Sequence, residues 1–170
     1  MAEAVLDFIA AHRDWTFFVA FAISFAETLL IVSAFVPTTA ILLGAGAIVT
    51  TGTLDFAPIF AGAALGSVLG SIVSWGIGRV WGIRLLSMSA VRRKIGRATR
   101  VRRAFLRWGA PVVAFGHLAG PFRSVAFTMA GISAMPLWRF VPMTILGAVT
   151  WAYLTPLAGR LGGDLLGWLF

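Results

Sequence analysis

Two charged residues and one histidine lie inside long apolar stretches of this 170-residue chain, where they could do chemistry. Glu27 is the single ionisable side chain between Trp15 and Leu54. A carboxylate at membrane depth is costly and is usually kept for a function. Out of water, a carboxyl group can hold a proton near neutral pH, so Glu27 is a candidate proton carrier. The alternative is a structural glutamate that bonds to backbone groups freed near Pro37.

Arg123 lies at the centre of the second apolar half of the chain, and His117 is a second candidate functional residue in the same half. A guanidinium keeps its charge and presents a planar fork suited to phosphate or carboxylate. Arg123 could bind an anionic head group, pair with Glu27, or alternate between the two; the alternative is a static salt bridge. His117 could relay protons or contact an anion, or it could be a hydrogen-bond partner between helices.

Hydroxyl side chains follow Pro37 directly, at Thr38 and Thr39. In apolar surroundings they can cap broken backbone or line a polar path. We include Thr39 with Glu27, His117 and Arg123 in the predicted substrate-binding set, and we predict that Glu27 and His117 carry protons.

The elements that must position these residues follow from composition. The chain is 59% hydrophobic and only 12% charged, whereas soluble domains carry about 25% charged residues. A spanning helix needs about 20 apolar residues. The sequence therefore predicts an all-α integral membrane protein, a single domain over residues 1–170 that crosses the membrane several times.

Breaks divide the apolar sequence into hairpins and spanning helices. One straight helix over residues 15–54 would be about 60 Å long, twice the hydrocarbon core, so the chain must turn at Pro37. Gly120 and Pro121 break the second half in the same way. The predicted order is an amphipathic surface helix (1–14), a first hairpin (15–52), a spanning helix (56–79), a basic cytoplasmic helix or loop (84–107), a second hairpin (108–133) and a second spanning helix (136–159).

Charge is concentrated between the two halves. The formal net charge is +8, and eight of the 14 Lys and Arg residues fall in residues 92–107. Such a tract between apolar segments marks the cytoplasmic side and attracts anionic lipid. We therefore predict that residues 92–107 contact anionic lipid head groups and that nucleic acid is not a partner.

Glycine spacing predicts an internal repeat. Gly66, Gly78-Arg79 and Gly82 recur at identical intervals as Gly147, Gly159-Arg160 and Gly163. Paired broken segments at corresponding places indicate an inverted-repeat transporter. If both hairpins are re-entrant, they enter from opposite faces and their tips meet near the midplane; the alternative for the first hairpin is a pair of full helices. Gly62, Gly66 and Gly70 form one face for close helix packing, inside the chain or in a homo-oligomer.

Motifs for catalysis are missing from the sequence. It has no Cys, no G-x-S-x-G, no H-E-x-x-H and no P-loop. We predict that the protein is not an enzyme and uses no metal or cofactor.

These residues resemble the DedA family, the bacterial branch of the VTT (SNARE-associated Golgi protein) superfamily. The resemblance covers about residues 15–160. It rests on Phe25-Ala26-Glu27 with Pro37 ten residues later, Ala45-Gly46-Ala47, Gly78-Arg79-x-x-Gly82, Phe115-Gly116-His117, Pro121-x-Arg123, Ala130-Gly131, Met135-Pro136-x-x-Arg139-Phe140 and Gly147-Ala148-x-x-Trp151.

The resemblance implies two opposed re-entrant hairpins and a lipid transporter that moves undecaprenyl phosphate or phospholipids such as phosphatidylethanolamine, in some members with the proton motive force. Glu27 then matches the family's membrane glutamate and Arg123 its second essential arginine. The chain departs from the pattern at Thr38-Thr39, where Gly and an acid are usual, at His117, where an arginine is common, and at Ser71, where an aspartate is frequent. This reduced charge set fits a weakly coupled flippase or an energy-independent scramblase.

Three hypotheses follow. The preferred one is a transporter of phosphate-bearing lipid. The second is a proton- or ion-coupled exporter of small solutes, and the third is a scaffold that transports nothing and in which Glu27 and Arg123 form a static pair.

Overall fold

A computed structural model of the chain describes residues 2–29, 38–49, 52–87, 108–119 and 123–169. The regular structure in these ranges is helical. A short 3₁₀ turn, Arg13–Trp15, follows the first helix. The described ranges contain seven α-helices: α1 (Ala2–Ala11), α2 (Thr16–Thr28), α3 (Thr38–Val49), α4 (Phe56–Ser87), α5 (Pro111–Gly116), α6 (Arg123–Ile132) and α7 (Leu137–Leu169).

Among the residues that the structure describes, two helices are long and apolar enough to cross a membrane. Their apolar parts are Phe56–Gly82 in α4 and Leu137–Gly162 in α7, each about 40 Å at 1.5 Å per residue. They correspond to the predicted spanning helices at 56–79 and 136–159. Both continue further than predicted, and α4 runs on to Ser87, so the first residues of the predicted basic segment belong to α4.

The other helices near the predicted hairpins are short. Helices α2 and α3 have 13 and 12 residues, and α5 and α6 have 6 and 10. At 1.5 Å per residue, all four are about 20 Å or less in length, below the hydrocarbon thickness of about 30 Å. The predicted breaks at Pro37 and at Gly120-Pro121 lie outside the described residues, as does the basic tract at 92–107.

Glycines bring α2 and α4 into backbone contact. Gly62, Gly66 and Gly70 of α4 lie against the backbone of Phe17, Phe21 and Phe25, one turn apart each time. The two helices therefore run in the same direction through three successive turns. This confirms the predicted packing face of α4 and identifies its partner as a helix of the same chain.

The long helices contact the short ones in a matched pattern. Helix α4 packs against α2 and α6, whereas α7 packs against α5 and α3. At each interface a glycine of the long helix meets backbone of the short one: Gly66 meets Phe21, Gly78 meets Thr128, Gly147 meets Ala114 and Gly159 meets Leu43.

Helix α1 packs against the rest of the protein. Ile9 is buried in a cluster with Leu42, Ala45 and Ile59, and the Leu6 side chain fills the space beside Gly44. Phe8 and His12 are exposed and stack on each other with ring centroids 4.6 Å apart.

Replacement of Gly66 by alanine tests the glycine contacts. A methyl group at Gly66 would collide with the Phe21 backbone, so we expect Gly66→Ala to lower the free energy of unfolding by about 1–3 kcal/mol. Gly76 has open space around it. Gly76→Ala should therefore raise the same quantity by about 0.5–1 kcal/mol through helix propensity. Unfolding in detergent micelles measures both, and equal effects would contradict the contact.

Candidate functional site

Helix ends converge on Glu27, near the end of α2. The backbone of Leu29 is extended (φ −78°, ψ 132°), which ends α2. Thr38, the first residue of α3, donates a hydrogen bond from its hydroxyl to the Ile23 carbonyl at 3.2 Å and interacts with the Glu27 carboxylate. Arg123, the first residue of α6, reaches the same carboxylate. Residues from three separate helices thus meet at one buried point.

Arg123 and Glu27 form a buried ion pair. The Nη2 group of Arg123 donates to Oε2 of Glu27 at 2.5 Å, and the two side chains are 0% and 6% exposed. A charge-assisted bond of this kind is strong, and removal of one partner leaves an uncompensated buried charge. Of the two states predicted for Arg123, the structure contains the one paired with Glu27.

The rest of the Arg123 guanidinium is covered on one face and unpaired at its edge. Its Cζ atom lies 4.1 Å from the ring centroid of Trp151 on α7, a geometry that favours cation–π attraction. Within the described part of the chain, Nε and Nη1 have no hydrogen-bond partner. A buried donor of a charged group is costly to leave without an acceptor, so each of these two donors is suited to an incoming acceptor.

His117 lies on the α7 side of the site. It is fully buried, and its ring centroid is 4.6 Å from that of Phe127. Its ring lies beside Gly147, and the charge of Arg123 acts on it. Neither ring nitrogen has a hydrogen-bond partner among the residues described. The same holds for the buried hydroxyl of Thr144, which is one turn before Gly147 on α7 and so shares its face.

Hydroxyl groups line the α2–α4 side of Glu27. The Thr28 hydroxyl donates to the Phe25 carbonyl at 2.7 Å, and the Ser74 hydroxyl donates to the Thr28 carbonyl at 2.6 Å. The buried hydroxyls of Ser24 and Ser67 are without partners in the described ranges. Ser24 precedes Glu27 by one turn, so the two side chains share a face of α2.

The structure therefore brings together three of the four predicted binding residues. Glu27 and Arg123 are in contact, and His117 is close to Arg123, whereas Thr39 is only half-buried. Thr38 occupies the position predicted for Thr39. Sequence reasoning also missed Trp151, because tryptophans in a membrane protein are common at its interfaces. We call Glu27, Thr38, His117, Arg123 and Trp151 the central site.

The central site is suited to an anion more than to a metal ion. Its unpaired groups include two donors of a fixed positive charge, and a neutral imidazole or a hydroxyl can donate as well. In the described part of the chain, no group of three or more His, Cys, Asp or Glu residues comes together that could hold a metal ion. Phosphate and carboxylate are the anions that a guanidinium fork binds best.

Comparison with known proteins relates most of the chain to one domain. The VTT domain matches residues 36–161. Protein DedA of Escherichia coli K12 is 26% identical over 164 residues, which cover 94% of this chain and 74% of DedA. The inner membrane protein YabI of the same strain is 24% identical over 162 residues, 95% of this chain.

A third relative, the inner membrane protein YohD of E. coli K12, is 34% identical over 122 residues, 69% of this chain and 61% of YohD. The matched part of this chain spans 64% of the length of YabI. No solved structure matches the chain significantly.

A double-mutant cycle tests the ion pair. We expect Glu27→Ala and Arg123→Ala each to lower the free energy of unfolding by about 3–5 kcal/mol, because each leaves a buried charge alone. The double variant should lose less than the sum by at least about 1 kcal/mol. Asp55→Asn with Arg139→Gln, both exposed, serves as the control and should be additive. Additivity at Glu27 and Arg123 would show that their contact carries no energy.

Two adjacent threonines provide a matched comparison. Thr38→Val removes the bond to the Ile23 carbonyl and the contact with Glu27, so we expect a loss of about 1–2 kcal/mol in the free energy of unfolding. Thr39→Val makes the same chemical change at a half-exposed position and should stay within about 0.5 kcal/mol of the wild type. Unfolding in micelles measures both; a larger effect at Thr39 would reverse the assignment.

Proposed function

Because the chain belongs to the DedA family of VTT-domain membrane proteins, we propose that it moves a phosphate-bearing lipid between the leaflets of the bacterial inner membrane. It does so as a multi-pass flippase or scramblase and without covalent change to the lipid. The substrate class includes undecaprenyl phosphate and phosphatidylethanolamine, whose head groups both carry a phosphate.

The observation that carries this proposal is the pair of donors on Arg123 that lack hydrogen-bond partners among the described residues. The guanidinium is fully buried, one of its faces is covered by Trp151, and two of its donors are without partners in the described residues. A lipid phosphate supplies the acceptor oxygens that these donors lack.

Helix ends support the same substrate. Helices α3 and α6 both begin at the central site, at Thr38 and Arg123. The start of a helix carries a partial positive charge, and broken transporter helices direct such ends at anionic substrates. The two helix starts therefore add to the positive potential of Arg123.

The packing pattern supports an inverted repeat with two re-entrant hairpins. Each long helix contacts the first helix of one short pair and the second helix of the other. Gly66 and Gly78 of α4 make the same kinds of contact as Gly147 and Gly159 of α7. Helix α6 is about 15 Å long, half the hydrocarbon thickness, which suits an arm that reaches the midplane. In this arrangement a head group passes between the hairpin tips.

Glu27 and the lipid phosphate compete for the same donor. Nη2, which binds Glu27, belongs to both of the guanidinium edges that can hold an oxyanion with two parallel bonds. Nη2 has two hydrogens, one on each edge, so a phosphate that takes the edge occupied by Glu27 must displace the carboxylate, whereas a phosphate on the other edge binds beside it. The displaced carboxylate is stabilised by a proton, and the buried hydroxyls of Ser24 and Thr38 are placed to bond to it. Proton uptake by Glu27 would link lipid binding to a pH gradient, with His117 as a second contact or proton relay.

A second candidate function is a scaffold without transport. The direct contact between Arg123 and Glu27 favours it, because a buried ion pair can hold the helices of the two short pairs together. Under this alternative the pair is permanent and no anion enters the site.

Lipid exchange in proteoliposomes tests the transport proposal. Fluorescent phosphate-bearing lipids are reconstituted with the wild type, Arg123→Ala, Arg123→Lys and the exposed control Arg139→Gln. We expect Arg123→Ala to slow leaflet exchange at least about tenfold, since a charge-assisted bond is lost. Arg123→Lys should be intermediate, and Arg139→Gln should match the wild type. Faster exchange under a pH gradient that disappears in Glu27→Gln would support the proton link.

Charge reversal separates the two candidates. Glu27→Arg combined with Arg123→Glu keeps an ion pair but moves the positive charge off α6. A scaffold should recover its stability and its function in the double variant. A transporter should recover stability at most, because the phosphate donors no longer face the same place. Exchange that survives in Arg123→Ala, or that returns in the reversed pair, would overturn the assignment of the site.

A further inference from the structure

A cavity lies near the end of α4, where helix α6 ends against it. Its volume is about 610 Å³, and it is lined by Gly78, Arg79, Val80, Trp81, Gly82 and Arg84 of α4 and by Ile132 of α6. None of these residues belongs to the central site. We propose that this cavity binds the phosphate head group of an anionic membrane lipid, independently of transport at Arg123.

Close packing of α4 and α6 forms one wall of the cavity. Gly78 lies against the backbone of Thr128, and Gly82 lies against the Ile132 side chain. From the other side, Gly131 lies against the backbone of Trp75 and Arg79. Helix α6 ends one residue later, at Ile132. The wall therefore ends beside α4, where the cavity is lined by Arg79, Trp81 and Arg84.

The position of the cavity along α4 corresponds to the membrane surface. Asp55 directly precedes α4, and the distance from Asp55 to Arg79 is about 36 Å at 1.5 Å per residue. The hydrocarbon core is about 30 Å thick, so if Asp55 lies at one head-group layer, Arg79 and Arg84 reach the other. This end of α4 leads into the strongly basic segment and is the cytoplasmic end by the positive-inside rule.

The lining combines the two kinds of group that a phospholipid needs. Arg79 and Arg84 supply guanidinium groups, which bind phosphate through paired donors. Between them in sequence, Val80 and Trp81 are 72% and 52% exposed. Exposed apolar and aromatic side chains at this depth contact acyl chains and the interface. A site for free phosphate would not need these neighbours, so the lining favours a lipid as the source of the phosphate.

The cavity also stands at the outer end of the helix that carries Arg123. Ile132 and Arg123 are the two ends of α6, about 14 Å apart along the helix. A lipid bound in the cavity is therefore held beside the arm that leads to the central site. Binding itself requires only Arg79, Arg84 and the packing of α4 on α6.

The experiment measures lipid binding to the full chain, purified in a neutral detergent. Dioctanoyl-phosphatidylglycerol, dioctanoyl-phosphatidylcholine and inorganic phosphate are titrated separately, and the rise in the thermal unfolding temperature gives each apparent Kd. We expect phosphatidylglycerol to bind the wild type and Arg139→Gln equally, because Arg139 is exposed and lies outside both the cavity lining and the central site. Arg79→Gln should weaken its binding at least about tenfold, and Arg79→Lys should be intermediate because it keeps the charge.

Arg160→Gln is the matched control, because Gly159-Arg160 is the corresponding pair on the other spanning helix and is not part of the cavity lining. It should bind phosphatidylglycerol as the wild type does.

Two outcomes overturn the site: Arg160→Gln weakens phosphatidylglycerol binding as much as Arg79→Gln does, or Arg79→Gln does not weaken it at all. Binding of inorganic phosphate as tight as that of phosphatidylglycerol overturns the lipid assignment. If Arg79→Gln does not fold, the apparent Kd for phosphatidylglycerol is measured on Arg84→Gln and Arg79→Lys instead. Each should bind more weakly than Arg160→Gln, and binding equal to that of Arg160→Gln overturns the site. Binding of phosphatidylglycerol by a wild type that exchanges no lipid in proteoliposomes would count against the transport proposal alone.

Discussion

The guanidinium of Arg123 cannot lose its charge, and in a fully buried position that charge must be met by groups nearby. Glu27 supplies one counter-charge through a single bond, and Trp151 supplies the electron-rich face of an indole. Glu27, Arg123 and Trp151 belong to α2, α6 and α7, so these three helices must pack together for the charge of Arg123 to be compensated. A pair held by one bond is strong enough to order these helices and still leaves donors for a second anion.

Glycine makes the convergence possible. Short helices can reach the centre only if they pack closely on the long ones, and each of the four interfaces has a glycine where the backbones meet. Hydroxyl groups then satisfy part of the backbone that the short helices leave open, as Thr38 does for Ile23 and Ser74 for Thr28. Close packing and local polar bonds thus replace the long hydrophobic contact that two full spanning helices would have.

The sequence revealed those features of the site that are rare in apolar surroundings. Glu27 and Arg123 stand out because a charge at membrane depth is expensive, and Gly62, Gly66 and Gly70 because their spacing fits one helix face. It could not choose between Thr38 and Thr39, since that choice depends on the rotation of α3 against α2. It assigned Trp151 no role, because tryptophans are common at membrane interfaces. Contacts between distant helices decide both.

The interfaces also differ in how readily they can separate. Helices α2 and α4 are joined at three successive glycines, so they should move as one rigid unit. Helix α5 has only six residues and meets α7 at Gly147. Its outer side chains, Phe115 and Leu118 at the helix end, face away from the protein. The α5–α7 interface should therefore deform more easily than the α2–α4 interface. If the protein opens, we expect the helices to separate first where α5 and His117 contact α7.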